Sequence, residues 1–210
     1  MQIHMLAVAL PLLTPLALAL TPAQWQVTNL YSFSPSGRPG TSPDYYIRVN
    51  ISNPDPRPDA PGVVLCTSIW QYPDVPYNKI SDCQIVDSVN QTADGDATNT
   101  HAHGDTWAWT LEPLEVVTDD FHFATTNVNL RWRAARINSN SGSAKARGVR
   151  VLTGVGHFEV GDNMTGLCAA SGFCVWNLKP EKAPVLVDVE SVVCHGTVEE
   201  ALHNINCDQV

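Results

Sequence analysis

Asn127-Val128-Asn129-Leu130-Arg131-Trp132-Arg133-Ala134-Ala135-Arg136-Ile137 is the stretch whose reading decides the fold. Val128, Leu130, Trp132 and Ala134 alternate with Asn129, Arg131 and Arg133. Successive side chains of an extended strand point to opposite faces, so a period of two puts the apolar set on one side and the polar set on the other. Tyr45 to Ile51 repeats the pattern, with Ile47, Val49 and Ile51 against Arg48 and Asn50, and Thr106 to Leu111 alternates too. Trp25 to Phe33 is rich in β-branched and aromatic residues, and period two places Trp25, Val27, Tyr31 and Phe33 on one face.

Val63 to Trp70, Cys83 to Val89, Val149 to Val160 and Val185 to Val193 read as further strands. Between them lie turn and loop signals: Ser34 to Gly40, the proline-broken Asn53 to Asp59, the polar Asn90 to Asp105, and the small-residue run Asn138 to Ala146. Helical periodicity is confined to Thr197 to Ile205. About nine strands at regular spacing predict an all-β protein, a single antiparallel barrel or sandwich.

Met1 to Ala23 contains no Lys, Arg, Asp or Glu. Its apolar centre is broken by Pro11 and Pro15, and small residues follow at Ala17-Leu18-Ala19 and Thr21-Pro22-Ala23. That is the pattern of a secretory signal peptide over 1–23 rather than of a membrane span. The expected organisation is then a signal peptide, a β-barrel domain over 24–180 and a C-terminal extension over 181–210. The mature protein is expected to be extracellular, with no membrane segment.

Six cysteines follow the leader: Cys66, Cys83, Cys168, Cys174, Cys194 and Cys207. An even count in an exported chain reads as disulfides, and sequence neighbours suggest Cys66–Cys83, Cys168–Cys174 and Cys194–Cys207. No C-x-x-C pair points to zinc. Three sequons begin at Asn50, Asn90 and Asn163, each a candidate glycosylation site.

The 210 residues carry 12 basic and 21 acidic side chains, a net charge of −9. A nucleic-acid binder displaces phosphate counterions with a basic surface, so that role is disfavoured. No G-x-S-x-G elbow is present; Ala169-Ala170-Ser171-Gly172 lacks the first glycine. Glu112, Glu115, Asp119 and Asp120 could supply a glycosidase pair or simply an acidic rim. His101 and His103 share a side at strand spacing, and His122 or His157 could complete a metal set. Asp94-Gly95-Asp96 opens like a calcium loop but has Asn99 and Asp105 where glycine and glutamate are required.

Trp107 and Trp109 share a strand face, either in a core or as a platform for sugar rings. Arg131, Arg133, Arg136, Lys145, Arg147 and Arg150 are half of the basic residues within a short span, a basic patch for an acidic partner or ordinary solvent-facing charge.

Several pieces together resemble the Alternaria major-allergen-like family of small secreted fungal β-barrel proteins. They are the exported start, Trp25-Gln26-Val27-Thr28-Asn29-Leu30, the pair Cys66/Cys83, and Phe158-Glu159-Val160-Gly161-Asp162-Asn163 leading to Cys168-Ala169-Ala170-Ser171-Gly172-Phe173-Cys174-Val175-Trp176. The likeness covers roughly Trp25 to Trp176. It implies an antiparallel barrel, secretion by a fungus, no established enzymatic activity and no cofactor. It also implies association with allergenicity or plant defence, with plant or host extracellular proteins or small aromatic ligands as partners. Cys66 with Cys83 and Cys168 with Cys174 match the family's two internal bridges. No cysteine lies between Gln24 and Leu65, so the family's covalent dimer does not carry over. Cys194 and Cys207 are additions. The expectation is a secreted effector- or allergen-like binding protein, not an enzyme. The alternatives are a secreted hydrolase or metal-dependent enzyme and a carbohydrate-binding wall protein.

Overall fold

The computed structural model describes residues 24–52, 62–86, 106–114, 124–137 and 148–203. The signal-peptide reading, Asn90, Asp94 to Asp96 and Cys207 fall outside them. Eleven strands form an antiparallel sheet: β1 (Gln24–Ser34), β2 (Asp44–Ser52), β3 (Val63–Gln71), β4 (Ile80–Ile85), β5 (Thr106–Glu112), β6 (Asn127–Ile137), β7 (Gly148–Glu159), β8 (Met164–Cys168), β9 (Cys174–Leu178), β10 (Val185–Asp188) and β11 (Glu190–His195). Their order is β11-β7-β6-β5-β4-β3-β2-β1-β9-β8, with β10 also on β1. A short helix, α1 (Val198–His203), follows. No helix among the described residues is long and apolar enough to cross a membrane.

Two layers share one core because two segments belong to both. Ile80, Ser81 and Asp82 of β4 pair with β5, whereas Cys83, Gln84 and Ile85 pair with β3. Opposite them, β10 pairs with the start of β1 and β11 with β7, the break falling at Val189. The sheet thus bends round on both sides, and Trp25 of β1 meets Trp107 of β5 across the interior, centroids 4.7 Å apart. Trp109 and Trp132 stack at 6.5 Å, and Phe158 meets Trp132 edge-on at 6.2 Å.

The indole N–H groups of Trp70, Trp107, Trp109, Trp132 and Trp176 are buried without a hydrogen-bond partner. Each costs about 1–3 kcal/mol. A buried aromatic removes roughly 150–250 Å² from water, worth about 4–6 kcal/mol at most. Area burial wins, and the core tolerates the orphan donors.

Five readings are corrected. The count is eleven strands, not nine, because β8 and β9 form a hairpin that the sequence reading left unassigned. The strand expected over Cys83 to Val89 begins earlier, at Ile80. The run Val185 to Val193 is split where it changes partner. The segment expected as an extension from residue 181 supplies β10, β11 and α1 to the same body, and Ala201 and Leu202 bury against Ala108, Ala135, Val149 and Val151 on the outside of the second layer.

The last correction concerns β1. Its register shifts between Val27 and Asn29, leaving Thr28 bulged and exposed. A bulge inserts one residue and reverses every side chain beyond it. Trp25 and Val27 point inward, but so do Leu30 and Ser32, and Tyr31 and Phe33 face out. Ser32 is fully buried and is satisfied by donating its hydroxyl to Thr125 O at 2.6 Å.

Candidate functional site

The reversal in β1 creates an outward apolar row. Ile69 of β3 lies opposite Tyr46 of β2, Tyr46 opposite Phe33 of β1, Phe33 opposite Val175 of β9, and Val175 opposite Leu167 of β8. Five strands in sequence therefore present one apolar side chain each at the same level. At the usual strand spacing the row is about 19 Å long. Ile69 is 64% exposed and Leu167 66%. Such contiguous outward apolar surface, with Phe33, Tyr46 and Val175 half-buried between the exposed ends, makes the row a candidate interaction surface.

The rings are held in order. Phe33 stacks on Tyr46 at 5.2 Å and Tyr31 on Tyr46 at 5.5 Å. Phe173 stacks on Phe33 at 6.1 Å from the turn between β8 and β9. That turn is fixed by the Cys168–Cys174 disulfide, by Ala169 N–H donating to Phe173 O at 2.8 Å, and by Gly172, whose φ of 96° suits glycine. Arg38 Nη2 donates to Ala170 O at 3.3 Å, tying the turn to the β1–β2 loop. Gly166 faces Trp176; a Cβ there would collide with Trp176 and the Val175 backbone.

A polar level flanks the row: Thr67, Arg48, Tyr31, Asn177 and Thr165, again directly opposite one another on the five strands. A hydrogen bond with Tyr46, with burial next, pushes the Tyr31 hydroxyl up to about 12, and the charge of Arg48 pulls weakly the other way. The Tyr31 hydroxyl is thus a neutral hydrogen-bonding group beside a cation, at the edge of an apolar surface.

The residues singled out from the sequence fall elsewhere. Trp107 and Trp109 are each 1% exposed and belong to the core, so they build no sugar platform. Three members of the basic run, Arg131, Arg133 and Arg150, are engaged within the protein. Arg131 donates from Nε and Nη2 to the Glu112 carboxylate, and Arg133 Nη1 donates to Leu202 O of α1 at 2.9 Å. Burial, then the neighbouring Arg131, lowers the Arg133 pKa. Arg150 donates to Ser191 Oγ at 2.9 Å. Lys145 and Arg147 lie outside the described residues, as do His101, His103, His122, Glu115, Asp119 and Asp120.

His157 Nδ1 donates to Asn129 Oδ1 at 2.8 Å, and its Nε2 stands 3.6 Å from Glu159. Among the described residues no three His, Cys, Asp or Glu converge to hold a metal. The structure joins Cys66 to Cys83 between β3 and β4, and Cys194 is likewise oxidised.

Of the sequons, Asn50 lies on the outer face of β2, half-buried. Asn163 is 8% exposed, and both ends of its amide are engaged: Nδ2 donates to His157 O at 2.8 Å and Oδ1 accepts from Glu159 N–H at 2.9 Å. The Asn163 amide holds the β7–β8 turn in this structure.

Residues of the row escaped the sequence reading. The signal was present: apolar residues at 25, 27 and 30 are separated by the adjacent polar pair Thr28-Asn29, a spacing of three that one extra residue in the strand explains. A cleft of about 360 Å³ at the β10–β11 break is lined by Arg131, Thr153, Gly154, Val155, Asp188 and Glu190. Two of its polar groups are already engaged, Arg131 by Glu112 and Asp188 by Gln24 Nε2 at 2.8 Å. Comparison of the chain with family profiles, with curated proteins and with solved structures returns no match.

Proposed function

We propose that this protein is an exported, effector- or elicitor-like binding protein. Its working surface is the outer row Ile69–Tyr46–Phe33–Val175–Leu167, and it acts on an extracellular host component rather than by catalysis. The observation that carries the reading is that row, rigid on five strands and stiffened by a disulfide at one end. Core-like aromatic residues held in fixed positions at a surface supply contact area at little entropic cost, which is how binding hot spots are built. The oxidised cysteines suit an oxidising compartment, and the export-like start and the resemblance to the Alternaria major-allergen-like family point the same way.

The test is comparative capture. The immobilised mature protein and its Ile69→Asp/Leu167→Asp variant are each exposed to host extracellular fluid. Both positions are solvent-facing, so the variant keeps the fold. A component retained by the parent and reduced about tenfold or more by the variant, the scale of a hot-spot loss, supports the proposal. Equal retention by both overturns it.

A further inference from the structure

The strand order ends at β8, which among the described residues pairs with β9 and, at Met164 only, forms an isolated parallel bridge with Val160. Ala169 N–H donates to Phe173 O, so that pair is hydrogen-bonded. In an antiparallel ladder bonded and non-bonded pairs alternate. Leu167/Val175 and Thr165/Asn177 are then bonded pairs, and Cys168/Cys174 and Gly166/Trp176 are not. The 4.0 Å Cα separation of Cys168 and Cys174 fits the closer, non-bonded type. The backbone N–H and C=O of Gly166 and Cys168 therefore point away from β9, to the open edge. Further back, Met164 O accepts from Gly161 N–H at 3.1 Å.

Exposed edges usually carry lysine, proline, an inward charge or a bulge that discourages pairing. Met164-Thr165-Gly166-Leu167-Cys168 has none of these. Its outward side chain, Leu167, is the last member of the apolar row. A partner that satisfied the free backbone groups and also covered Leu167 would have to be extended, with an apolar side chain at the matching level.

We propose that β8 is a strand-addition site for an extended polypeptide segment. Its backbone bonds Gly166 and Cys168, and its alternate apolar side chains prolong the row beyond Leu167. A lysine-bearing segment is the suitable probe because the overall net charge of −9 raises its encounter rate. This rests on the proposed binding role of the row and names its partner class.

The probe is a synthetic octapeptide alternating lysine with valine and phenylalanine, together with a copy N-methylated at every second amide. Amide exchange is followed by NMR on the full mature protein. The unmodified peptide should slow exchange at Gly166 and Cys168 about tenfold or more. The copy methylated on its bonding edge should not. Leu167→Lys should weaken binding roughly tenfold while its spectrum stays that of the folded protein.

Peptide-induced shifts at Phe33, Tyr46 and Ile69 without protection at Gly166 and Cys168 would overturn strand addition and leave the binding role of the row standing. Protection of those two amides by self-association of the protein, lost in Leu167→Lys, would assign the edge to a second copy and overturn the proposal. No response at either place would overturn it together with the reading on which it rests.

Discussion

Gly154 of β7 tests how the two layers are joined. A Cβ added there would stand 2.8 Å from Asp188 O, 2.8 Å from Val187 Cγ1 and 3.3 Å from Trp25 Cε3. The first contact is with backbone of β10, which is held by its pairing to β1 and cannot rotate away. Forcing an extra methyl into packed surroundings costs about 1–3 kcal/mol. Replacing glycine also restricts the unfolded chain, which returns about 0.4–1 kcal/mol. The net expectation for Gly154→Ala is a loss of roughly 1–2 kcal/mol, or about 2–8 °C in Tm for a chain of this size.

Gly62→Ala is the control, since nothing lies within 4 Å of its added Cβ and its φ is not in the glycine region. It should be neutral or slightly stabilising. Gly156→Ala should fall between them, because its closest contacts, 3.0 Å to Phe158 and 3.2 Å to Trp132 and Val187, are side chains that yield a little. The three variants are compared by urea unfolding followed through tryptophan fluorescence. Equal midpoints for Gly154→Ala and Gly62→Ala would refute the close seating of β10 on β7, and with it the packing of the two layers on each other.

Four further outcomes are expected. Removing Cys66–Cys83 as a double alanine variant should cost about 3 kcal/mol, and removing Cys168–Cys174 about 2, because the loops close over 17 and 6 residues; urea titration of both variants checks the order. Tyr46→Phe should lower the Tyr31 titration from about 12 toward the ordinary tyrosine value, read as phenolate absorbance; with the raised value, the group's contribution to stability is complete below pH 10 and is lost as pH rises through about 12.

The Glu200 carboxylate accepts from Thr197 N–H and Oγ1 at 2.8 and 3.1 Å in a capping box, which holds its pKa below the usual range. Its support for α1 is therefore complete above the ordinary glutamate value and is lost as pH falls through the lowered one. Amide exchange across Val198–His203 should quicken there, and in Glu200→Gln it should lose that pH dependence. Peptide mapping of the protein expressed in a glycosylating host should find Asn163 unmodified, and a glycan at that position would contradict its burial.

Strand identity was legible because alternation is a local property. β2, β5 and β6 each carry a period of two, although β5 is buried on both faces, Ala108 packing with Ala201 and Leu202 of α1. The tryptophans of β5 and β6 were ambiguous in sequence, since one exposed face and one buried face have the same alternation; only the placement of β1 across the interior assigned Trp107 to the core. Three members of the basic run found partners for a similar reason: Glu112, Leu202 and Ser191 are distant in sequence, so their pairing with Arg131, Arg133 and Arg150 is invisible until the strands are paired.

The amino-acid order by itself determined most of the extended secondary structure, the short C-terminal helix, and the cysteine neighbours that bridge adjacent strands. All of these depend on residues close together along the chain. Tertiary structure decided which face of β1 looks outward, which partner each half of Val185–His195 takes, and that five separate strands bring Ile69, Tyr46, Phe33, Val175 and Leu167 to one level. A single bulged residue at Thr28 reverses half a strand, and register between strands is set by the packing of the whole core, so neither could be read from any one segment.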